Sequence, residues 1–560
     1  MEPIPNSYDF VIVGSGGGSM CAALYLRSRG KRVLILEKMD IVGGTTGRSG
    51  GILWIPNNPF MARDGIPDSP EQALAYLESV TGNQSESPAA TKERREMFVE
   101  EGPGMLAYLI SQGIELDRAA YWPDYYDEAP GGSAPGRTVR AKLFDTRELG
   151  EWQDKLYAGF TDLPAYMDEM QMLGYYRTSW KSRRIMLRVV LRSIMAKLTG
   201  KRLVTAGAAL QGRMLQAALR AGVDIRTGSP VSELLVEDGA ITGVAATLDG
   251  KPCRIKAALG VLVNAGGFSL NQRMRDQYIP GTTVDWSNAA PGNTGEMIEE
   301  MMRHGAAVAH MGEMVGFQCT LQPGWENDTV KSPAQRITAG PHAILVDQSG
   351  VRYMNEGGSY MAYCKGMLER NKTVPAVPSW AVFDQQFMDK YMIAGTMPGS
   401  RKPQSWYDDG YLKRADSIEA LAQQLGIEPA VLSSTVRRFN GFVDNNCDED
   451  FNRGARAYDR YLGDPAHKPS ETLGRIETGP FYAVNVYPGD VGTYGGVVTD
   501  QYARVLRDDG APIPGLYATG ICAASMNGAF YPGAGLSIGP TFTFGYVAAK
   551  HALGEYAVSR

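Results

Sequence analysis

The chain of 560 residues carries 56 basic and 61 acidic side chains, a formal net charge of −5, and is 44 % hydrophobic against 21 % charged. That balance excludes a disordered or fibrous chain, and the mild acidity argues against a general nucleic-acid binder, which would show a basic footprint. Glycine occurs 66 times, where average usage of about 7 % gives roughly 39, and tyrosine occurs 28 times against five histidines.

Length alone suits roughly three or four domain-sized units, or two large domains with insertions. The start, MEPIPN, shows no basic stretch followed by an apolar one, so no signal peptide is expected. Asp9 is then followed by a short apolar run, Phe10 to Val13, as a strand buried in a parallel sheet should be. GSGGGS follows at residues 14–19, then a helical pattern through Leu26, then a second strand at residues 33–36 closed by Glu37. This order of strand, glycine loop, helix, strand and acid is the dinucleotide-binding fingerprint. Gly14 permits the tight turn, Gly16 lets backbone approach a pyrophosphate at the helix N-terminus, and Glu37 suits a ribose 2′-hydroxyl. The third small position is Ser19 rather than Gly or Ala, so its side chain must fit where helix and strand pack closely.

GGTTGRSGG at residues 43–51 is a second loop rich in backbone donors and hydroxyls, suited to phosphate and flavin edges. From Met170 to Val223 there is no acidic residue, and Lys181, Arg183, Arg184, Arg188, Arg192, Lys197, Lys201 and Arg202 punctuate an apolar pattern. Leu187, Val190, Leu191, Ile194 and Leu198 share one helical face, with Arg184, Arg188 and Arg192 on an adjoining one. Two readings stand: a membrane-surface helix drawn to anionic headgroups, or a helix packed on its own domain with a solvated charged face. VLVNAGG at residues 261–267 and GLYATG at residues 515–520 are further strand-to-turn segments. Such dispersal fits one dinucleotide-binding domain interrupted by an insertion and completed by the C-terminus. Asp444 to Asp450 lacks the spacing and glycine of a calcium loop and reads as a solvated loop, so no metal site is expected. The six cysteines, Cys21, Cys253, Cys319, Cys364, Cys447 and Cys522, form no CxxC pair and suit a reducing compartment. No window reaches the ~18 uninterrupted apolar residues of a membrane span. The expected setting is the cytoplasm, with peripheral contact at the inner face of the membrane under the first reading of the basic segment.

Several segments together resemble the fumarate reductase/succinate dehydrogenase-like FAD flavoproteins, and among them the 3-ketosteroid Δ1-dehydrogenases. The resemblance runs over nearly the whole chain: residues 43–51, WIPNN at 54–58, DYY with EAPGG at 124–132, RYMNE at 352–356, PGDVGT at 488–493, and YPGAG at 531–535 followed by Gly539 and Pro540. The glycine loops are shared by many flavoproteins, whereas the DYY–EAPGG and YPGAG segments are much more specific to the steroid enzymes. The resemblance implies an α/β fold with a Rossmann-like FAD-binding domain split in sequence, at residues 1–279 and 479–560. An inserted α+β cap or catalytic domain would occupy residues 280–478. It implies noncovalent FAD held by Gly14, Gly16, Gly17, Gly18, Ser19, Glu37, Lys38, Gly44, Thr45, Thr46, Ser49, Gly50, Gly51, Ala265, Gly266, Gly520, Leu536, Ser537 and Ile538.

Desaturating a bond beside a ketone requires a base for the α-proton, donors for the oxygen as it becomes enolate-like, and a hydride acceptor. Tyr531 and the Gly535 N–H lie four residues apart at a glycine-rich turn, and the resemblance gives them the ketone oxygen. It gives the base to Tyr360, supported by Tyr125, with Tyr126 the alternative to Tyr125. A phenol with a pKa near 10 is a poor base unless neighbours stabilise the phenolate. The implied substrate is a 3-oxosteroid, and a quinone is a plausible electron acceptor. Alternatives are a Δ4-type desaturase or enoate reductase of the same fold, or a membrane-associated flavin electron carrier. No arginine lies between Asn355 and Arg370, where fumarate-reducing relatives place their proton donor, and His304, His310 and His342 read as structural. Two departures from the steroid pattern stand out. MGEMVGF at residues 311–317 replaces a tryptophan pair, and Ile521 follows Gly520 where a polar residue is usual.

Overall fold

A computed structural model describes residues 6–82, 87–326 and 330–556. Phe10–Val13, Val33–Leu36 and Val261–Val263 are wholly buried strands. They sit in a six-stranded sheet ordered Arg504–Leu506, Pro512–Ala518, Val261–Val263, Phe10–Val13, Val33–Leu36, Asp224–Arg226. All neighbours are parallel except the Arg504–Leu506 edge. Because side chains alternate along a strand, Phe10, Ile12, Val33 and Ile35 pack with Met20, Leu24, Phe542 and Val547 on one face. Val11, Val13, Leu34 and Leu36 pack on the other with Leu234, Val244 and Ile255. The first face is covered by the helices Gly17–Ser28 and Ile538–Ala552, the second by an antiparallel sheet of Val231–Glu237, Ala240–Leu248 and Lys251–Ala257. The fold is α/β, as the sequence implied.

A second sheet, entirely antiparallel, runs Ala343–Val346, Ser379–Asp384, Phe481–Val486, Leu412–Ala415. Its two faces feed separate clusters, one around Tyr363 and Phe387 and one around Leu421, Leu432 and Phe439. Phe481–Val486 lies beyond the boundary at residue 478 drawn from the sequence. Its backbone completes the inserted sheet. Asp448 also departs from the solvated-loop reading: it is buried and paired with Arg352 at 2.9 Å, beside Arg352–Glu356 at 2.8 Å and Arg453–Glu356 at 3.3 Å. Asp490 of PGDVGT is likewise structural, locked to Arg275 at 2.7 Å with both side chains fully enclosed. Among the described residues no group of acidic, histidine or cysteine side chains is placed to hold a metal ion.

The basic segment is a helix, Trp180–Leu198, held to the protein by Ser182, Ile185, Val189 and Ala196. Trp180, Leu187, Val190, Leu191, Ile194, Met195 and Leu198 point the other way, Trp180 75 % and Leu198 76 % exposed. The apolar stripe therefore faces solvent instead of the protein. Arg192 is not part of a free charged face, because it pairs with Glu169 at 2.7 Å. No described helix is long and apolar enough to cross a membrane.

Candidate active site

A cavity of ≈ 410 Å³ lies where the central strands run out into Gly14, Glu37 and Ala265, the usual ligand position of an open α/β sheet. The helix Gly17–Ser28 starts there with Gly16 at its N-cap, no capping side chain and no acidic residue in its first turn. Its free N–H groups and positive dipole end are thus left for an anion. Gly14 takes φ +92, and a Cβ there would fall 2.4 Å from the Asn264 carbonyl oxygen, so only glycine fits. The Glu37 carboxylate is fixed by the Ser15 N–H at 3.0 Å, the Ser15 hydroxyl at 2.6 Å and the Met39 N–H at 2.9 Å.

Gly14, Gly16, Glu37, Lys38, Gly44, Thr45, Thr46, Ser49, Ala265, Gly266, Gly520, Ser537 and Ile538 all line this cavity. Gly17, Gly18, Ser19, Gly50, Gly51 and Leu536 do not, for packing reasons. A Cβ on Gly17 would sit 1.9 Å from the Phe542 ring, and one on Gly18 would sit 2.5 Å from the Thr541 carbonyl. Ser19 meets the Asn264 side-chain amide at 2.9 Å, which explains how a hydroxyl is tolerated at that tight position. A Cβ on Gly51 would strike the Ala206–Gly207 peptide at 2.3 Å, one on Gly50 would press on Met167 at 3.3 Å, and Leu536 is a core residue.

Sequence reasoning missed the segment from Ala290 to Asn293, which forms the facing wall. Thr45 Oγ1 accepts from the Ala290 N–H at 3.0 Å and from Asn293 Nδ2 at 2.9 Å, and Lys38 Nζ donates to Thr294 Oγ1 at 2.6 Å. The small-residue run PGNTG at residues 291–295 was the available signal. Ile521, the departure from the polar pattern, also lines the cavity, as do Val315 and Val491.

Beyond Ser537 the three tyrosines singled out from the sequence form one cluster. Ring centroids are 5.2 Å apart for Tyr125–Tyr360, 5.1 Å for Tyr360–Tyr531 and 6.1 Å for Tyr125–Tyr531. Tyr360 is the first residue of the helix Tyr360–Arg370, at a dipole end that favours negative charge. The Tyr531 oxygen accepts from the Ser537 N–H at 3.1 Å and lies 3.0 Å from Ser537 Oγ, which ties the cluster to the cavity wall. Gly535 takes φ +98, and a Cβ there would collide with the Ile52 carbonyl at 2.6 Å. The Tyr125 N–H donates to the Pro532 carbonyl at 2.9 Å, and the Tyr76 hydroxyl donates to the same oxygen at 2.5 Å. Two motifs four hundred residues apart are stitched there.

Burial holds the Tyr360 and Tyr125 phenols well above the usual tyrosine range, with Tyr531 adding to the rise at Tyr360 and Tyr125 opposing it. Burial also raises Tyr531, but hydrogen bonds from Ser537, Tyr360 and the Gly535 N–H pull it back. Phe317 faces Tyr360 at 6.1 Å, while Met311 and Met314 are core residues. Tyr126 is held as well, its N–H on the Tyr76 hydroxyl at 3.3 Å. Two tyrosines missed in the sequence join the cluster, Tyr458 at 4.2 Å from Tyr125 and Tyr494 at 5.7 Å from Tyr531. The histidines are engaged elsewhere: His304 on Glu300, His310 on Ser87, and His342 on the Arg475 carbonyl.

Residues 9–538 match the FAD binding domain family. The chain is 38 % identical over 577 residues to the 3-oxosteroid 1-dehydrogenase of Mycolicibacterium smegmatis, covering 99 % of each. It is 31 % identical to the 4-oxocyclohex-2-ene-1-carboxylate 5-dehydrogenase of Sinomonas cyclohexanicum, over 97 % of this chain and 93 % of that one. Among solved structures, the 3-ketosteroid Δ1-dehydrogenase of Sterolibacterium denitrificans in complex with 1,4-androstadiene-3,17-dione matches with a TM-score of 0.90 at 33 % identity, over 98 % of this chain and 100 % of that one. The chain belongs to the family of FAD-binding flavoproteins that contains these 3-oxosteroid 1-dehydrogenases. It is an oxidoreductase with FAD as its cofactor, and the uncapped helix N-terminus, the Glu37 carboxylate and the close glycine turns suit that group.

Proposed function

We propose that the chain catalyses the FAD-dependent 1,2-dehydrogenation of a 3-oxosteroid. The observation that carries this reading is the convergence of Tyr531, Gly535, Tyr360 and Tyr125 beside Ser537 at the end of the FAD cavity. The Tyr531 hydroxyl and the Gly535 N–H bind the 3-keto oxygen. Donors already resting on the Tyr531 oxygen make its phenol more acidic, and so a better donor to an oxygen that gains charge. Tyr360, as a phenolate that Tyr125 stabilises by donating to it, takes the proton from C2 and becomes a neutral phenol. FAD, when bound, accepts the hydride that leaves C1. The apolar rings around the cluster exclude water, which strengthens each of these interactions.

The two-part FAD domain and the inserted domain are part of the same proposal, with the end of the insert moved past Phe481–Val486. So are a cytoplasmic setting and an anionic bilayer bound by the exposed stripe of Trp180–Leu198, with Lys181, Arg184 and Lys197 at headgroup level. Basic groups with no ion-pair partner among the described residues, flanking an apolar face, match such a surface in charge as well as polarity. A quinone in that bilayer completes the cycle in this reading.

Anaerobic titration with androst-4-ene-3,17-dione tests the reading. The flavin absorbance should bleach, whereas 5α-reduced 3-ketosteroids or 4-oxocyclohexanecarboxylate as the preferred reductant would redirect it. Tyr360→Phe and Tyr531→Phe should keep their FAD but bleach at least about 100-fold more slowly. A fully active Tyr360→Phe would remove the assigned base.

A further inference from the structure

The cofactor cavity has a small neighbour. A second cavity, of ≈ 40 Å³, is lined by Gly520, Ile521, Ser537 and Thr541, four residues that line the large cavity as well, so one layer of protein separates the two. Arg94, in the first turn of the helix Lys92–Ser111, lines the small cavity and is 4 % exposed. Its Nη1 donates to the Ala89 carbonyl at 2.6 Å and the Ala524 carbonyl at 2.9 Å, and its Cζ lies 5.3 Å from the Phe544 ring centre. Among the described residues Nε has no hydrogen-bond partner and no carboxylate lies within ion-pair distance. Arg137, Arg275 and Arg352 are as deeply enclosed, and each holds a carboxylate, at 2.6, 2.7 and 2.8 Å. The titratable groups around Arg94 are Tyr494, His310 and Asp500. His310 meets Ser87 at 2.8 Å, and Asp500 is taken by Arg504 at 2.6 Å. Burial pulls the Arg94 guanidinium down to about 10, which leaves it charged at neutral pH. A desolvated cation without a counter-ion is costly to keep.

Negative charge appears during the reaction on the other side of that layer. A hydride carries two electrons and one proton, so neutral oxidised FAD that accepts one becomes an anion. The reacting end of the cofactor has to stand beside the tyrosine cluster, a placement that rests on the function proposed above. The small cavity abuts that end: Ser537, in the shared wall, donates its N–H to the Tyr531 oxygen, and Tyr494, which also lines the small cavity, stands 5.7 Å from Tyr531 ring to ring. We propose that Arg94 is the counter-charge of reduced FAD, acting across the wall of Gly520, Ile521, Ser537 and Thr541 to favour the anionic reduced cofactor over the neutral oxidised one. That wall holds no ionisable side chain, so the field of Arg94 crosses protein of low dielectric and is weakened far less than in water. Arg94 is a positioning residue rather than a catalytic one, since the wall keeps it out of the cofactor cavity.

The test is the midpoint potential of FAD in the holoenzyme, read by reductive titration against reference dyes with no steroid present. Arg94→Met should make reduction at least about tenfold less favourable, a fall of about 30 mV or more for a two-electron couple. Arg94→Lys, which keeps the charge, should recover most of that loss. If Arg94 only stitches Ala89 to Ala524, Arg94→Met will lower the thermal midpoint and weaken oxidised and reduced FAD by the same factor. The potential then stays in place, and that result would overturn the proposal. If neither variant retains FAD, the wild type decides through its pH dependence. Its potential should fall by about 30 mV per pH unit across neutral pH, one proton for two electrons, as an anionic reduced cofactor requires. About twice that slope, two protons for two electrons, would mean a neutral reduced cofactor and would equally overturn the role of Arg94. The two claims fail separately. A steroid that does not bleach the flavin defeats the proposed function, whereas an unshifted Arg94→Met potential beside normal bleaching by steroid defeats only the counter-charge.

Discussion

Tyr125 owes its position to side chains that never reach the cluster. Its neighbour Asp124 accepts from Trp54 Nε1 at 2.7 Å and Arg137 Nη1 at 2.6 Å, and Arg137 also grips Asp68 through Nε and Nη2 at 2.8 and 2.7 Å. All three charged side chains are almost completely enclosed. Removing one partner of a buried ion pair strands the others, at a cost of about 3–5 kcal/mol. Arg137→Met should therefore lose about that much stability at neutral pH, read from chemical denaturation. Burial already pushes the Asp124 carboxyl up to about 6 against the pull of Arg137. A carboxyl with a raised folded-state pKa destabilises the fold as pH climbs through that value, so the deficit of the variant should shrink below pH ~6. The grouping of Tyr531, Tyr360 and Tyr125 was legible because short motifs surround them. Arg137, Asp68 and Tyr458 were not, because each gains its meaning from partners tens or hundreds of residues away.

Among the elements, the opening strand, glycine loop, helix and second strand were readable in full, since hydrophobic period, turn residues and the closing acid all agree. What the local pattern did not separate is the two uses of its glycines. Gly16 faces the cavity, where an added Cβ would meet Asn264 Nδ2 at 3.0 Å, whereas Gly17 meets the Phe542 ring of the C-terminal helix. Gly17→Ala should lower stability by about 1–3 kcal/mol through overpacking, seen as a reduced thermal midpoint. Gly16→Ala should instead weaken FAD retention on gel filtration with a smaller effect on the midpoint of the apoprotein. A partner 525 positions downstream cannot be read from a window of twenty residues. The pairing of Phe481–Val486 with Ser379–Asp384, a hundred residues upstream, is hidden from the local pattern for the same reason.

On the scale of the whole molecule, the helix Trp180–Leu198 was legible as amphipathic, but which way its stripe points required the fold. The packed face is the narrow one of Ile185, Val189 and Ala196, and Leu187 is left 60 % exposed. The protein should co-sediment with vesicles containing phosphatidylserine and much less with purely zwitterionic ones, and lose that binding at high salt as the attraction is screened. Replacing Leu187, Leu191 and Leu198 together by Ser should abolish binding while leaving flavin bleaching by dissolved steroid intact. Vesicle binding unchanged by that triple substitution would show that the stripe is not the docking face. The central sheet carries a different consequence, for the order in which the molecule can assemble. Val261–Val263 pairs on one side with Phe10–Val13 and on the other with Pro512–Ala518. As synthesis proceeds from the N-terminus, the early strands wait with an open edge until the last tenth of the polypeptide has left the ribosome. Gly520, Ser537 and Ile538 close the cofactor cavity from that same late segment. The nascent chain therefore has no complete flavin site to stabilise it, and its exposed strand edge must be shielded in the meantime.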